Sequence, residues 1–248
     1  MNPFGFTRSH TERNYALVAP ESHVPAALPH WTDTSGIIVV SPGMGARFAQ
    51  YFALMAAGGT AGPPLPGVQR FVFVEQGRLQ LQLAEQSFIL GPGGFAYVPA
   101  DTTHAMTAGS ECRLTIFEKH YRAATSEGPL PVIGCEQDVK AEPFMGDPDA
   151  MLKTLLPTTP EFDMAVNLFT FAPGAALPLV EVHVMEHGLL MLQGRGIYRL
   201  DRNWHPVQAG DVIWMAPYCP QWFTAVGKEP ARYLYYKDVG RDPLEDLP

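Results

Sequence analysis

The chain has 248 residues, 46% of them hydrophobic, and can bury the cores of two small domains of about 100 residues each. Its formal net charge of -8 and its lack of lysine and arginine clusters argue against a nucleic-acid partner, because neutralising phosphates requires a basic face. Apolar runs such as residues 188–192 are far shorter than the roughly 20 residues that cross a bilayer, so we expect no membrane association.

The amino-terminal residues 1–33 are predicted to form an arm. Residues 1–8 lack the apolar core of a secretory signal, so a cytoplasmic location is expected. The three cysteines, Cys112, Cys135 and Cys219, form no CxxC pair and leave one thiol without a partner, which does not fit a disulfide scaffold.

Residues 34–122 have the pattern of an all-β domain. The chain's 23 glycines and 24 prolines interrupt it at short intervals, and the segments between them are rich in β-branched and aromatic residues. Strict alternation over residues 78–83 predicts a strand with one buried face. Further strands are predicted at residues 70–74, 95–98 and 113–117.

Residues 123–160 are rich in proline, glycine and acidic residues and are predicted to link two domains. Within this linker, residues 148–156 form the best candidate for a short helix, which begins at Pro148 and ends before Pro157. Residues 161–248 return to the β pattern and form the predicted second domain, with strands at 196–200, 211–215 and 232–236.

The second domain contains a candidate metal site in Glu181-Val182-His183-Val184-Met185-Glu186-His187, followed later by Gln221. If residues 181–184 form a strand, Glu181 and His183 share a face, and His187 opens the next strand. A carboxylate, two imidazoles and an amide suit manganese or another divalent first-row ion better than structural zinc. Such a set leaves coordination positions open for a substrate.

The same stretch also contains His183-x-x-Glu186-His187, which on a helix would be an inverted zinc-peptidase motif with Glu186 as the general base. The β-branched valines at positions 180, 182 and 184, together with Gly188 directly after the motif, favour an extended chain over a helix.

The chain repeats its pattern at an offset of 117 residues. The shared positions pair Gln193-Gly194-Arg195 with Gln76-Gly77-Arg78, Gly210 with Gly93, Phe169 with Phe52, and Gln221 with His104. The other three candidate ligands, Glu181, His183 and His187, correspond to Pro64, Pro66 and Arg70, which do not bind cations. We therefore expect a duplicated domain, with a degenerate first copy that holds no metal. Short antiparallel strands with glycine-rich hairpins predict that each copy is a double-sheet jelly-roll barrel.

These motifs resemble the cupin superfamily and, within it, the (S)-ureidoglycine aminohydrolase family. The cupin pattern is matched by Gly174, Glu181-Val182-His183, His187, Gly194, Gly210 and Gln221, but with Glu for the usual first His, His for the usual Glu and Gln for the usual last His. The ending Tyr236-Lys237-Asp238-Val239-Gly240-Arg241-Asp242 also matches this family. The resemblance covers both domains and implies two tandem cupin barrels.

The resemblance implies a metal-dependent hydrolase that cleaves a C–N bond of (S)-ureidoglycine, releasing ammonia and (S)-ureidoglycolate in allantoin and purine catabolism. It implies one Mn²⁺ per chain, in the C-terminal barrel, and a homo-oligomeric assembly. The implied metal ligands are Glu181, His183, His187 and Gln221; the implied substrate contacts are Glu181, Gln221, Tyr233, Lys237 and Tyr198.

Catalytic roles fall to Glu181 and Lys237 in this interpretation. Lys237 pairs with the carboxylate of the small ureido substrate as a point charge. The proton acceptor for the attacking water is either Glu181 or a metal-bound hydroxide, and the sequence does not choose between them.

Two alternatives remain for the function, because the cupin fold hosts many activities. One is another metal-dependent cupin enzyme, such as an oxygenase, which would require redox-active iron. The other is a non-enzymatic bicupin that binds a small ligand. The complete ligand set in one barrel favours chemistry over mere binding.

Overall fold

Strands dominate the structure, a computed structural model that describes residues 6–240 together with Asp242 and Leu244. Within the described residues, helical structure is confined to 3-10 turns such as Pro20–Ser22 and Pro42–Met44. None of these residues belongs to a helix long and apolar enough to cross a membrane. The all-β fold with two tandem units, predicted from the sequence, is confirmed.

The chain forms two compact units, each with its own hydrophobic core. We call residues 24–139 the N-terminal barrel, and the described residues of 1–23 and 140–248 the C-terminal barrel. The first two strands of the chain, β1 (His10–Thr11) and β2 (Tyr15–Val18), belong to the C-terminal barrel.

The N-terminal barrel is one antiparallel sheet of ten strands. Its strands are β3 (Ala26–Ala27), β4 (Thr32–Val40), β5 (Ala49–Thr60), β6 (Val68–Gln76), β7 (Leu79–Leu83), β8 (Gln86–Leu90), β9 (Gly94–Val98), β10 (His104–Ala108), β11 (Cys112–His120) and β12 (Val132–Cys135). Eight of them follow the order β12-β9-β6-β11-β5-β10-β7-β8, and β4 pairs with both β3 and β5.

The C-terminal barrel combines an eight-stranded sheet, in the order β1-β2-β19-β16-β21-β15-β14-β13, with the three-stranded sheet β18-β17-β20. Its remaining strands are β13 (Glu142–Phe144), β14 (Asp147–Thr154), β15 (Met164–Phe171), β16 (His187–Gln193), β17 (Arg195–Leu200), β18 (Asn203–Gln208), β19 (Val212–Met215), β20 (Gln221–Val226) and β21 (Ala231–Asp238).

The seven strands predicted from residue patterns all occur, with ends that differ by a few residues. The duplication is also visible in the backbone. His104 opens β10 and Gln221 opens β20. Gly77 and Gly194 both have positive φ (82° and 73°), and a side chain at either position would collide with a backbone oxygen of the neighbouring loop. The same turn therefore follows β6 and β16.

The short helix predicted at residues 148–156 is wrong, since this segment forms β14. Helical periodicity was weak there, and pairing with β13 and β15 provides backbone partners that an isolated short helix lacks. Pro148 does not interrupt the sheet, because the ladder between β14 and β15 begins at Ala150. The predicted linker thus supplies strands to both barrels.

The predicted amino-terminal arm also contains strands. β2 pairs with β19, and Tyr15 is fully buried in the core of the C-terminal barrel. Arg8 donates two hydrogen bonds of 2.7 Å each to the carboxylate of Asp211, which is itself fully buried. This bidentate ion pair fixes the segment before β1 to the turn that precedes β19.

A buried ion pair occupies the N-terminal barrel at the position that corresponds to His187. Arg70 is only 1% exposed and donates to the Glu118 carboxylate at 2.6 Å. It also donates to the carbonyl of Gly62 at 3.0 Å and contacts Nε2 of His104 at 3.1 Å. The Arg70 guanidinium, with most of its N–H groups hydrogen-bonded, therefore links β6, β10 and β11.

Replacing Arg70 with methionine is expected to lower the free energy of unfolding by about 3 kcal/mol, because it leaves Glu118 without its partner in a largely dry environment. We place the loss at the low end for buried pairs since the Glu118 side chain keeps 19% exposure. Urea unfolding measures it. The matched control Arg78→Met, at an exposed arginine of the same barrel, should change stability by less than about 0.5 kcal/mol; equal stability of both variants would contradict the role given to Arg70.

Candidate metal and substrate site

One pocket of about 170 Å³ in the C-terminal barrel brings together every site residue predicted from the sequence. The seven residues are Glu181, His183, His187, Tyr198, Gln221, Tyr233 and Lys237. They come from the loop before β16 and from strands β16, β17, β20 and β21, so only the closed barrel makes them neighbours.

The chain around Glu181 is not the strand that the alternating pattern predicts. Glu181 forms a single isolated bridge with Gln221, through backbone hydrogen bonds of 2.8 and 2.9 Å, and residues 182–186 are a loop. The carbonyl of His183 accepts a hydrogen bond from the backbone N–H of Tyr218 at 2.8 Å. These bonds hold the loop against the start of β20, and His187 opens β16 as predicted.

Three nitrogen atoms converge in the pocket. Nε2 of His183 lies 3.2 Å from Nε2 of His187 and 3.0 Å from Nε2 of Gln221. Nδ1 of His183 lies 3.2 Å from the carbonyl of Met185, which can only accept, so we assign the proton of His183 to Nδ1. The Nε2 lone pair of His183 then faces the pocket and accepts a hydrogen bond from the amide N–H of Gln221 at 3.0 Å, a donor that a cation would replace.

Glu181 lines the same pocket but stands apart from this nitrogen cluster. Among the described residues, no three His, Cys, Asp or Glu side chains form one group suited to a metal ion. The imidazoles of His183 and His187 and the amide of Gln221 therefore form one contact cluster. Glu181 adds a carboxylate to the same pocket, and its backbone pairs directly with that of Gln221.

Burial keeps both imidazoles neutral. The pKa of His187 lies well below its ordinary value because the ring is desolvated and because its protonation would be opposed by a charge on His183 and by the ammonium of Lys237. Desolvation also lowers the pKa of His183, and Lys237 adds to this effect. The neutral imidazole is the form that coordinates a metal ion, so the pocket favours the binding-competent state of both residues.

Glu181 and Lys237 influence each other across the pocket. Desolvation raises the pKa of Glu181, an effect that the positive charge of Lys237 opposes. Desolvation lowers the pKa of Lys237, and the charge of Glu181 opposes that shift in turn. A carboxylate with a raised pKa is a better proton acceptor, and a half-buried ammonium is suited to bind an anionic substrate group.

Tyr198 and Tyr233 keep their hydroxyl protons, because burial raises the pKa of each well above its ordinary value. The Tyr198 hydroxyl donates to Oε1 of Gln221 at 3.3 Å and so helps to orient the amide. Tyr198 thus donates within the pocket, and the protonated hydroxyl of Tyr233 has the same capacity.

The pocket has further lining residues that the motif analysis did not assign to the site, namely Phe144, Phe169, Met185, Leu189 and Tyr235. Met185 and Leu189 lie two residues on either side of His187, a spacing that could have suggested them. Nothing in the sequence singles out Phe144, which reaches the pocket from β13 in the predicted linker.

In the N-terminal barrel the corresponding histidine is already engaged. Nδ1 of His104 lies 2.8 Å from the carbonyl of Thr102, so its Nε2 faces Arg70 and accepts from that guanidinium. Desolvation lowers the pKa of His104. With Pro64 and Pro66 at the other ligand positions, this arrangement agrees with the expectation that the first barrel holds no metal ion, which stays a prediction.

The profile of the cupin domain family matches this chain twice, at residues 51–118 and 167–236. These ranges cover strands β5–β11 and β15–β21, the two halves of the duplication.

Two relatives match almost the whole chain. A protein of Oryza sativa subsp. japonica named "Probable (S)-ureidoglycine aminohydrolase" is 42% identical over 97% of this chain and 78% of its own length. The (S)-ureidoglycine aminohydrolase of Arabidopsis thaliana is 41% identical over 97% of this chain and 80% of its own length. The crystal structure of the Escherichia coli protein Ylba superposes with a TM-score of 0.85 and 29% identity, covering 95% of this chain and 96% of that one.

Proposed function

The chain belongs to the (S)-ureidoglycine aminohydrolase family of bicupins, and on that premise we propose that its C-terminal barrel releases ammonia from (S)-ureidoglycine to give (S)-ureidoglycolate. One observation supports this proposal above the others. All seven residues to which the family resemblance assigns a metal or substrate role line a single pocket of about 170 Å³. A pocket of this size suits a small molecule rather than a polymer.

The side chains in the pocket fit a divalent cation. The imidazole of His187 and the amide of Gln221 both lie within 3.2 Å of Nε2 of His183, and the carboxylate of Glu181 lines the same space. We propose that His183, His187, Gln221 and Glu181 hold one Mn²⁺, which suits such a nitrogen and oxygen donor set. The ion would supply positive charge that polarises the reacting centre of the substrate.

The substrate carries an amine, a ureido group and a carboxylate on one carbon. In the reaction a water oxygen forms a bond to that carbon, the C–N bond to the amine breaks, and a proton from the water leaves with the amine as ammonia. We assign the transfer of this proton to Glu181, the one carboxylate among the described residues that line the pocket. Lys237 binds the substrate carboxylate, and Tyr233 donates a hydrogen bond to a polar group beside it. The Tyr198 hydroxyl, whose proton is donated to Gln221, contacts the substrate as an acceptor.

The aromatic and aliphatic walls limit the access of water. Phe144, Phe169, Met185 and Leu189 line the pocket together with its polar groups, so a bound substrate would lose much of its hydration. In such surroundings the charges of Glu181 and Lys237 act more strongly on the substrate than they would in water.

A homo-oligomeric state and a cytoplasmic location belong to the same proposal. Light scattering after size-exclusion chromatography tests the oligomeric state.

We expect one divalent ion per chain when the purified protein is loaded with Mn²⁺ and analysed by elemental analysis. His183→Ala and His187→Ala should each abolish metal binding, because each removes an imidazole donor. The control His104→Ala, at the corresponding position of the N-terminal barrel, should retain the full metal content. Two ions per chain, or equal losses in all three variants, would show that the metal is assigned to the wrong place.

Metal-loaded protein should release ammonia from freshly generated (S)-ureidoglycine faster than the spontaneous reaction. Only one enantiomer of ureidoglycolate should form, because the pocket presents a single face of the carbon to water. Ammonia assay and chiral chromatography provide the two measurements. A racemic product formed at the uncatalysed rate would rule out the proposed activity and leave the fold unaffected.

Lys237→Met removes the charge that binds the substrate carboxylate and leaves the four proposed metal ligands in place. A lost charge-assisted hydrogen bond typically costs about 1.5 to 3 kcal/mol, so kcat/KM should fall at least roughly tenfold while metal content is unchanged. The control Lys228→Met, at an exposed lysine of the same barrel, should leave kcat/KM unchanged. Wild-type efficiency in the Lys237→Met enzyme would mean that another group binds the carboxylate.

A further inference from the structure

Three rings form a column beneath the candidate metal site. Tyr235 lies between Phe169 and His187 and is nearly parallel to both. Its centroid is 5.7 Å from that of Phe169, with an interplanar angle of 16°. The centroid distance to His187 is 5.5 Å, with an angle of 18°. Phe144 closes the far end of the column, with its ring edge-on to Phe169 at 4.9 Å.

The position of Tyr235 in this column is fixed from two sides. Its hydroxyl forms a hydrogen bond with the side chain of Asn167, which is only 4% exposed. Asn167 and Tyr235 face each other directly in the ladder between β15 and β21. Tyr235 is itself only 7% exposed. A ring held by a buried hydrogen bond and by packing on both faces has little freedom to tilt.

His187 needs such a support, because the torsion about its Cβ–Cγ bond has a broad energy minimum. The direction of its Nε2 lone pair depends on the plane of the ring. In the structure that plane is parallel to Tyr235, and Nε2 then lies 3.2 Å from Nε2 of His183. A tilt of the imidazole would move its donor atom away from the other ligands.

The N-terminal barrel provides an internal comparison. Tyr235 pairs with Leu189 between β21 and β16. Leu189 corresponds to Val72 in the N-terminal barrel, and Val72 pairs with Ile116, so Ile116 takes the place of Tyr235 there. That barrel, which has Arg70 in place of His187, thus has an aliphatic residue where the C-terminal barrel has the stacked tyrosine. The aromatic ring is found in the copy that has an imidazole to orient.

We propose that Tyr235 is a positioning residue, which holds the His187 ring in the plane that metal coordination requires. This inference rests on the proposed metal site and extends it to a residue that is neither a ligand nor a substrate contact. The planar face of Tyr235 carries the effect, and the hydroxyl serves to anchor that face through Asn167.

The test compares Mn²⁺ dissociation constants, measured by EPR titration, for wild-type protein and for Tyr235→Leu and Tyr235→Phe. Loss of an outer-sphere partner typically weakens metal binding about 10- to 100-fold, which we expect for the leucine variant. The phenylalanine variant keeps the stacked face and should bind Mn²⁺ within about threefold of wild type, well inside that range. The EPR spectrum of bound Mn²⁺ should change in the leucine variant and not in the phenylalanine variant. If Tyr235→Leu fails to fold, Tyr235→Met fills more of the same volume without a planar face.

Phe171→Leu is the matched control. Phe171 is fully buried in the same core and contacts the rings of Phe169, Phe223 and Tyr233, so its replacement damages packing to a similar degree. It should lower the melting temperature and leave the Mn²⁺ dissociation constant unchanged.

Equal weakening of Mn²⁺ binding in Phe171→Leu and Tyr235→Leu would show that Tyr235 only fills space and would overturn the proposal. Wild-type Mn²⁺ affinity in Tyr235→Leu would also overturn it. So would a Tyr235→Phe variant that binds Mn²⁺ as weakly as Tyr235→Leu. Wild-type protein that binds Mn²⁺ but releases no ammonia would overturn only the proposed activity. Wild-type protein that binds no Mn²⁺ would overturn both the metal site and the role of Tyr235.

Discussion

The removal of water from the C-terminal pocket is the constraint on which the chemistry of this protein depends. Desolvation is the largest cause of the pKa shifts of Glu181, His183, His187 and Lys237. It keeps the imidazoles in the neutral form that coordinates a metal ion, which favours the proposed metal site. The opposite charges of Glu181 and Lys237 restrain these shifts, so both groups can stay ionised where a substrate would bind.

The two barrels deal with a buried polar centre in different ways. In the N-terminal barrel, Arg70 and Glu118 neutralise each other, and the remaining donors of Arg70 are taken up by Gly62 and His104. This centre is internally satisfied and has little left to offer a ligand. In the C-terminal barrel, His183, His187 and Lys237 line a pocket, and no ion pair shorter than those of Arg70 holds them among the described residues. Duplication thus produced one barrel with a closed ion-pair centre and another with groups available to bind.

The C-terminal site depends on parts of the chain far from its ligands. β2 extends the sheet beyond β19, which carries Ile213 and Met215 into the core beneath the pocket. The hairpin of β13 and β14 extends the opposite side of that sheet and brings Phe144 to the pocket. Because Phe144 also closes the ring column that ends at His187, the hairpin packs against the proposed metal site as well as forming part of the pocket wall.

The sequence by itself determined the fold class and the duplication, because strand periodicity and turn glycines are local properties. It also indicated the polar residues that line the C-terminal pocket, through ligand chemistry for Glu181, His183, His187 and Gln221 and through the family resemblance for the others. It did not determine that residues 148–156 form a strand, since that choice depends on pairing with β13 and β15 rather than on local propensity. The loop around Glu181 was likewise decided by its bridge to Gln221. Phe144 and the stacked position of Tyr235 depend on contacts between distant strands, and only the tertiary structure decides which side chains meet there.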